Sequence, residues 1–154
     1  MARFSRLGEH GAVWLAIGGA GQLLDASRRG RWRRASGVVA LAYTANVLVK
    51  LVVGRRRPSV PGLPPLTGTP TGLSFPSAHA STSFAGALAY RRLGAPAPPL
   101  YALAVGLSLS RVYLGVHYPS DVLGGAVAGT LLAASLTPAA ASPTRGRSEQ
   151  GPFA

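Results

Sequence analysis

Cysteine is absent from this chain of 154 residues, which excludes a disulfide scaffold and a thiolate metal site. Three histidines and four carboxylates are too few for a zinc or di-metal cage, so neither metal nor cofactor is expected. Lysine occurs once, at Lys50, and the other fifteen basic residues are arginine. Charged side chains make up only 13% of the chain, and its mean hydropathy is +0.26. That leaves little polar surface for an ordinary soluble domain; a small Ala-rich soluble bundle is the weaker reading. The length suits one domain and not two.

What is present is apolar. Five stretches stand out, at about 11–24, 36–53, 80–90, 98–109 and 119–136. A bilayer crossing takes about 20 residues, which the second and fifth supply. The third and fourth reach that length only with their polar flanks counted. Abundant Gly and Ala suit close helix packing in a membrane. The expectation is an all-α, integral-membrane helical bundle with about five apolar helices over residues 1–137. The Ala, Ser, Pro, Gly and Arg of 138–154 read as a disordered tail. No cleavable signal peptide stands out, so the first stretch reads as retained. The Pro/Gly-rich segment from Pro58 to Pro76 reads as a loop that could cover a site.

The net charge of +12 raises nucleic-acid binding, but the arginines separate apolar spans and form no continuous patch. No nucleic-acid partner is expected. Arg28, Arg29, Arg31, Arg33 and Arg34 fall in the first connection, Arg91 and Arg92 after the third stretch, Arg145 and Arg147 in the tail. Successive crossings put these groups on one side, which the positive-inside rule assigns to the cytoplasm. Arg3 and Arg6 conflict with that scheme if the first stretch spans, and not if it lies in the interface.

The few reactive side chains gather in three segments that fall on the opposite side. His117 and Asp121 flank Pro119, and proline favours the first turn of a helix. A carboxylate there can accept the imidazole Nδ1–H and leave Nε2 as nucleophile or base; helix capping and an interfacial histidine are the plainer alternatives. Arg111 offers a fork of donors that matches phosphate oxygens, or it snorkels to head groups. Lys50 and Arg57 divide in the same way. Arg55 and Arg56 read as solvent or head-group contacts. Ser77 suits a helix N-cap, whose free amides form an anion cup, and His79 in that first turn could protonate a leaving oxygen. Together these groups suit metal-free phosphoryl transfer by positioning and charge stabilisation.

The three segments resemble the type 2 phosphatidic acid phosphatase superfamily, which includes the vanadium haloperoxidases. Its pattern is K-x6-R-P, then P-S-G-H, then S-R-x5-H-x3-D. Lys50 to Pro58 matches the first and Ser110 to Asp121 the third. Pro76-Ser77-Ala78-His79 matches the second except at Ala78, where the family has Gly. The resemblance implies that His117 attacks phosphorus and carries a phosphohistidine, that Asp121 orients it, and that His79 protonates the leaving group. It implies phosphate contacts from Lys50, Arg57, Ser77 and Arg111. The implied protein is a multi-pass cell-membrane phosphatase with its site on the non-cytoplasmic side. Its substrate would be a lipid phosphate or diphosphate: a polyprenyl diphosphate, phosphatidic acid or phosphatidylglycerol phosphate. A non-catalytic lipid-phosphate binder and a vanadate-dependent peroxidase are the alternatives. Family members commonly carry six helices, one more than the apolar stretches counted here.

Overall fold

A computed structural model describes residues 1–59, 62 and 64–138, so the tail expected from 138 lies almost wholly outside the described residues. Among the described residues there are six α-helices and no strand. They are α1 (Ala2–Arg6), α2 (Ala12–Leu24), α3 (Arg29–Val53), α4 (Ala78–Arg91), α5 (Ala97–Tyr113) and α6 (Pro119–Leu136). Five match the five apolar stretches. The sixth, α1, is a five-residue helix with too few residues to leave an apolar signature.

Helix α4 is the centre of the bundle and packs against α3, α5 and α6. Its small side chains permit this: Ala80, Ser81, Ser83, Ala85, Gly86, Ala87 and Ala89 are all buried. Larger groups fill the remaining space. Trp14 of α2 is fully buried and donates its indole N–H to Ser83 Oγ at 2.9 Å, while the Tyr90 hydroxyl donates to the Trp14 carbonyl at 2.7 Å. The indole N–H of Trp14 and the hydroxyl of Tyr90, both buried, thereby find partners.

The outer surface inverts the pattern of a soluble protein. Leu123, Val127 and Leu131 repeat every four residues along α6 and all point outward, as do Leu48, Leu51 and Val52 on α3. An outward apolar stripe suits lipid tails and no aqueous neighbour. Two helical segments, Ala26–Val53 and Pro119–Leu136, are long and apolar enough to cross a membrane. At 13 residues α2 is about 20 Å long, short of the roughly 30 Å hydrocarbon layer.

The arginine run differs from expectation. Helix α3 begins at Arg29, so Arg29, Arg31, Arg33 and Arg34 occupy its first turns and do not lie in a connection. Arginine is a good helix former, and nothing in the run stops a helix. Arg28 closes this end of the bundle by donating to the Leu93 carbonyl at 2.9 Å. Arg92 joins it there, donating to the carbonyls of Ala133 and Ala134 in the last turn of α6. The far ends of α3, α5 and the near ends of α4 and α6 meet at the opposite pole.

Candidate active site

A proline starts the first piece of that pole. Pro119 opens α6 and puts Asp121 at the third helical position. Asp121 has no exposed surface. Its Oδ2 accepts the Tyr118 backbone N–H at 2.8 Å and faces His117 Nδ1 at 3.3 Å. Arg57 approaches the other side of the ring, with Nη1 3.2 Å from His117 Nε2. A guanidinium only donates, so Nε2 must accept and the ring proton sits on Nδ1, against the carboxylate. His117 is therefore a neutral imidazole with its Nε2 lone pair turned to the cations. Burial first, and then the charges of Arg57, Lys50 and Arg111, hold it well below the usual histidine range.

The cations come from three elements. Arg57 lies in the loop after α3, where its Nε donates to the Thr71 carbonyl at 2.8 Å and Nη1 to the Val116 carbonyl at 2.7 Å. Burial, and then the Arg111 charge, pull its guanidinium down to about 10. Lys50, in the last turn of α3, donates Nζ to the carbonyls of Leu73 at 3.3 Å and Ser74 at 2.9 Å. Arg111, in the last turn of α5, is buried; Nη1 donates to Ser5 Oγ at 2.7 Å, and its Nε has no partner among the described residues. The loop after α3 does fold over the pole: Leu66 N–H donates to the Leu114 carbonyl, and Ser74 N–H to that of Arg55.

Helix α4 supplies the remaining groups. His79 occupies its first turn and is buried. Its Nε2 lies 2.9 Å from the Ser5 carbonyl, which can only accept, so Nε2 carries a proton. Ser77 stands at the N-cap position but its side chain makes no cap bond; its Oγ is buried without a partner among the described residues, and its N–H donates to the Asp121 carbonyl at 2.9 Å. Ala78 lies in the helix and is not among the residues with positive φ, so nothing here demands glycine at that position.

Lys50, Arg57, His79, Arg111 and His117 line one cavity of about 90 Å³, together with Glu9, His10, Tyr43, Asn46 and others. Both imidazoles thus face a common space. Ser77 and Asp121 are not in its lining.

Three residues of this pole carried no signal in the sequence. Ser5 touches both His79 and Arg111. Asn46, one turn before Lys50, lines the cavity and donates Nδ2 to the Pro76 carbonyl and to Ser81 Oγ. Arg55 differs from the sequence expectation of a solvent or head-group contact: its Nη1 donates to Asp121 Oδ1 at 3.0 Å and Ser120 Oγ at 2.8 Å. Its guanidinium also lies 4.1 Å over the Tyr118 ring. A fully buried carboxylate needs a counter-charge, and Arg55 supplies it.

The chain is similar in sequence and in fold to known phosphatases. Decaprenylphosphoryl-5-phosphoribose phosphatase of Mycolicibacterium smegmatis is 47% identical over 122 residues, spanning 79% of this chain and 67% of that one. The protein of the same name from Mycobacterium tuberculosis H37Rv is 40% identical over 131 residues, spanning 84% and 73%. The crystal structure of a transmembrane PAP2 type phosphatidylglycerolphosphate phosphatase from Bacillus subtilis superposes with a TM-score of 0.69 at 26% identity, covering 85% of this chain and 70% of that one. The family model described as the PAP2 superfamily matches residues 32–143, and the chain belongs to that superfamily.

Proposed function

We propose that this membrane lipid phosphatase removes a terminal phosphate from a polyprenyl-phosphate-linked sugar, of the kind for which its mycobacterial relatives are named, through a phosphohistidine on His117. The observation that carries the reading is the setting of His117. Asp121 holds Nδ1–H, Nε2 keeps its lone pair, and Lys50, Arg57 and Arg111 surround the place where a phosphoryl group would sit.

The step balances without a metal. His117 Nε2 attacks phosphorus as the bond from phosphorus to the ester oxygen breaks, and His79 gives that oxygen a proton. Water then attacks the phosphohistidine, loses a proton to His79 and frees orthophosphate. Positive charge on Nδ1 is offset by Asp121, and the equatorial oxygens by the three cations. In the resting site the Arg57 N–H occupies the Nε2 lone pair, so Arg57 must turn from His117 to the substrate before attack. Arg111 Nε, buried in the cavity lining and unpartnered among the described residues, suits a tetrahedral anion as the missing partner. Glu9, His10, Tyr43 and Asn46 add polar groups to the same cavity, which suits a hydroxylated leaving group better than a bare hydrocarbon alcohol. For the membrane, the site end lies opposite Arg28 and Arg92, which supports a non-cytoplasmic active site.

Purified protein in detergent should release phosphate from a polyprenyl-phosphate-linked 5-phosphoribose with EDTA present. A panel with undecaprenyl diphosphate, phosphatidic acid and phosphatidylglycerol phosphate should show lower kcat/KM for each. His117→Ala should abolish release and the transfer of labelled phosphate to the protein. Turnover that survives in His117→Ala would refute the assigned nucleophile.

A further inference from the structure

The residues that the mechanism uses come from α3 onward, but the two groups least expected to be fixed are held from the other end of the chain. Ser5 is 1% exposed and sits in α1, which packs on α5; the Phe4 ring lies against Gly106. Its carbonyl accepts the Nε2–H of His79 at 2.9 Å. Its hydroxyl accepts from Arg111 Nη1 at 2.7 Å. One residue thereby joins the proposed acid of α4 to a proposed phosphate fork of α5.

We propose that Ser5 is a positioning residue of the active site, fixing the tautomer of His79 through its carbonyl and the fork of Arg111 through its hydroxyl. This rests on the phosphatase reading for the roles of those two side chains. The chemistry follows from donor and acceptor types. With Nε2–H committed to a carbonyl, the proton that His79 gives up is the one on Nδ1 of the imidazolium. The Ser5 carbonyl can accept from Nε2–H whether or not Nδ1 carries a proton, so it fixes Nε2 as the donor and leaves Nδ1 as the nitrogen that exchanges the proton. The Arg111 side chain is long and rotamer-rich. With Nη1 pinned, Nε and the other terminal nitrogen are left as a preset pair for two phosphate oxygens. Nothing in the short α1 segment signals this, because the contacts span 74 and 106 residues of sequence.

Orthovanadate is a suitable probe, since its binding needs no turnover. Ser5→Ala in the full chain removes the hydroxyl and keeps the carbonyl. It should weaken vanadate binding, followed by calorimetry, and lower kcat/KM, each by about tenfold, the effect of one charge-assisted hydrogen bond. The melting temperature should fall by only a few degrees, as Arg111 Nη1 loses its buried partner, and Ser5→Thr should recover most of both losses. Nitrogen-15 NMR of the parent protein, which has only three histidines, should show His79 protonated at Nε2 at neutral pH. Unchanged vanadate affinity in Ser5→Ala overturns the proposal. So does tighter binding, which would mean that α1 competes with the anion, and so does a His79 protonated only at Nδ1. Vanadate binding that depends on Ser5 in a protein releasing no phosphate from any lipid would leave this arrangement standing and remove the phosphatase mechanism.

Discussion

Asp121 serves three structures with two oxygens. It caps α6 through Tyr118 N–H, holds His117 and pairs with Arg55. The prediction at this scale concerns Arg55, whose loss leaves a carboxylate without exposed surface short of its counter-ion. Arg55→Ala should cost about 1–3 kcal/mol of stability, read from thermal unfolding in detergent. It should also lower kcat more than it raises KM, because Arg55 is absent from the cavity lining while Asp121, in the mechanism we propose, orients the nucleophile. A rise in KM alone would assign Arg55 to substrate binding instead. The seven side chains singled out in the sequence all lie at this pole; Lys50, His79, His117 and Asp121 stood out because such groups are rare in this chain, and Arg57, Ser77 and Arg111 by their spacing from them. Arg55 escaped for the same reason Arg57 did not. In a run of three arginines only the one before Pro58 keeps a recognisable spacing from Lys50. An irregular loop has no period that would reveal which way the other two point.

Close approach of α4 and α6 sets the geometry of the elements. A Cβ at Gly125 would come 2.5 Å from the Ser77 carbonyl oxygen, and one at Gly129 would run into the Ser81 backbone. Backbone cannot move aside as a flexible side chain can. Gly129→Val should therefore force α6 away from α4, lower the melting temperature by several degrees and cut phosphate release in parallel, since His79 and Asp121 ride on these two helices. Activity kept at full level would mean that the pair tolerates separation. Helix α6 was legible to the residue, because a proline opens it and the apolar run ends where it ends. Helix α3 was not: its first turns are arginines, and hydropathy reports the apolar part of a helix rather than its start. Helix α1 left no trace, since five residues hold too little pattern to read.

For the whole molecule, the open question is which side of the membrane the site faces, and the absence of cysteine makes a clean test possible. Gly30 and Gly68 each have open space around them, the first in the initial turn of α3 and the second in the cavity lining. In intact cells a membrane-impermeant maleimide should label Gly68→Cys and spare Gly30→Cys; the reverse pattern would invert the topology. The clustering of Lys50, Arg57 and Arg111 has one more consequence. An unliganded pole stores mutual repulsion among buried positive charges, so the reaction's own product doubles as a structural ion. Orthophosphate at a hundred times its dissociation constant would add about 2.7 kcal/mol to the fold. A melting temperature that climbs with added orthophosphate, and not with equal chloride, would register it. Such an enzyme is sturdiest when product is plentiful and it is least free to work, and most fragile in a phosphate-starved surrounding where every site stands ready.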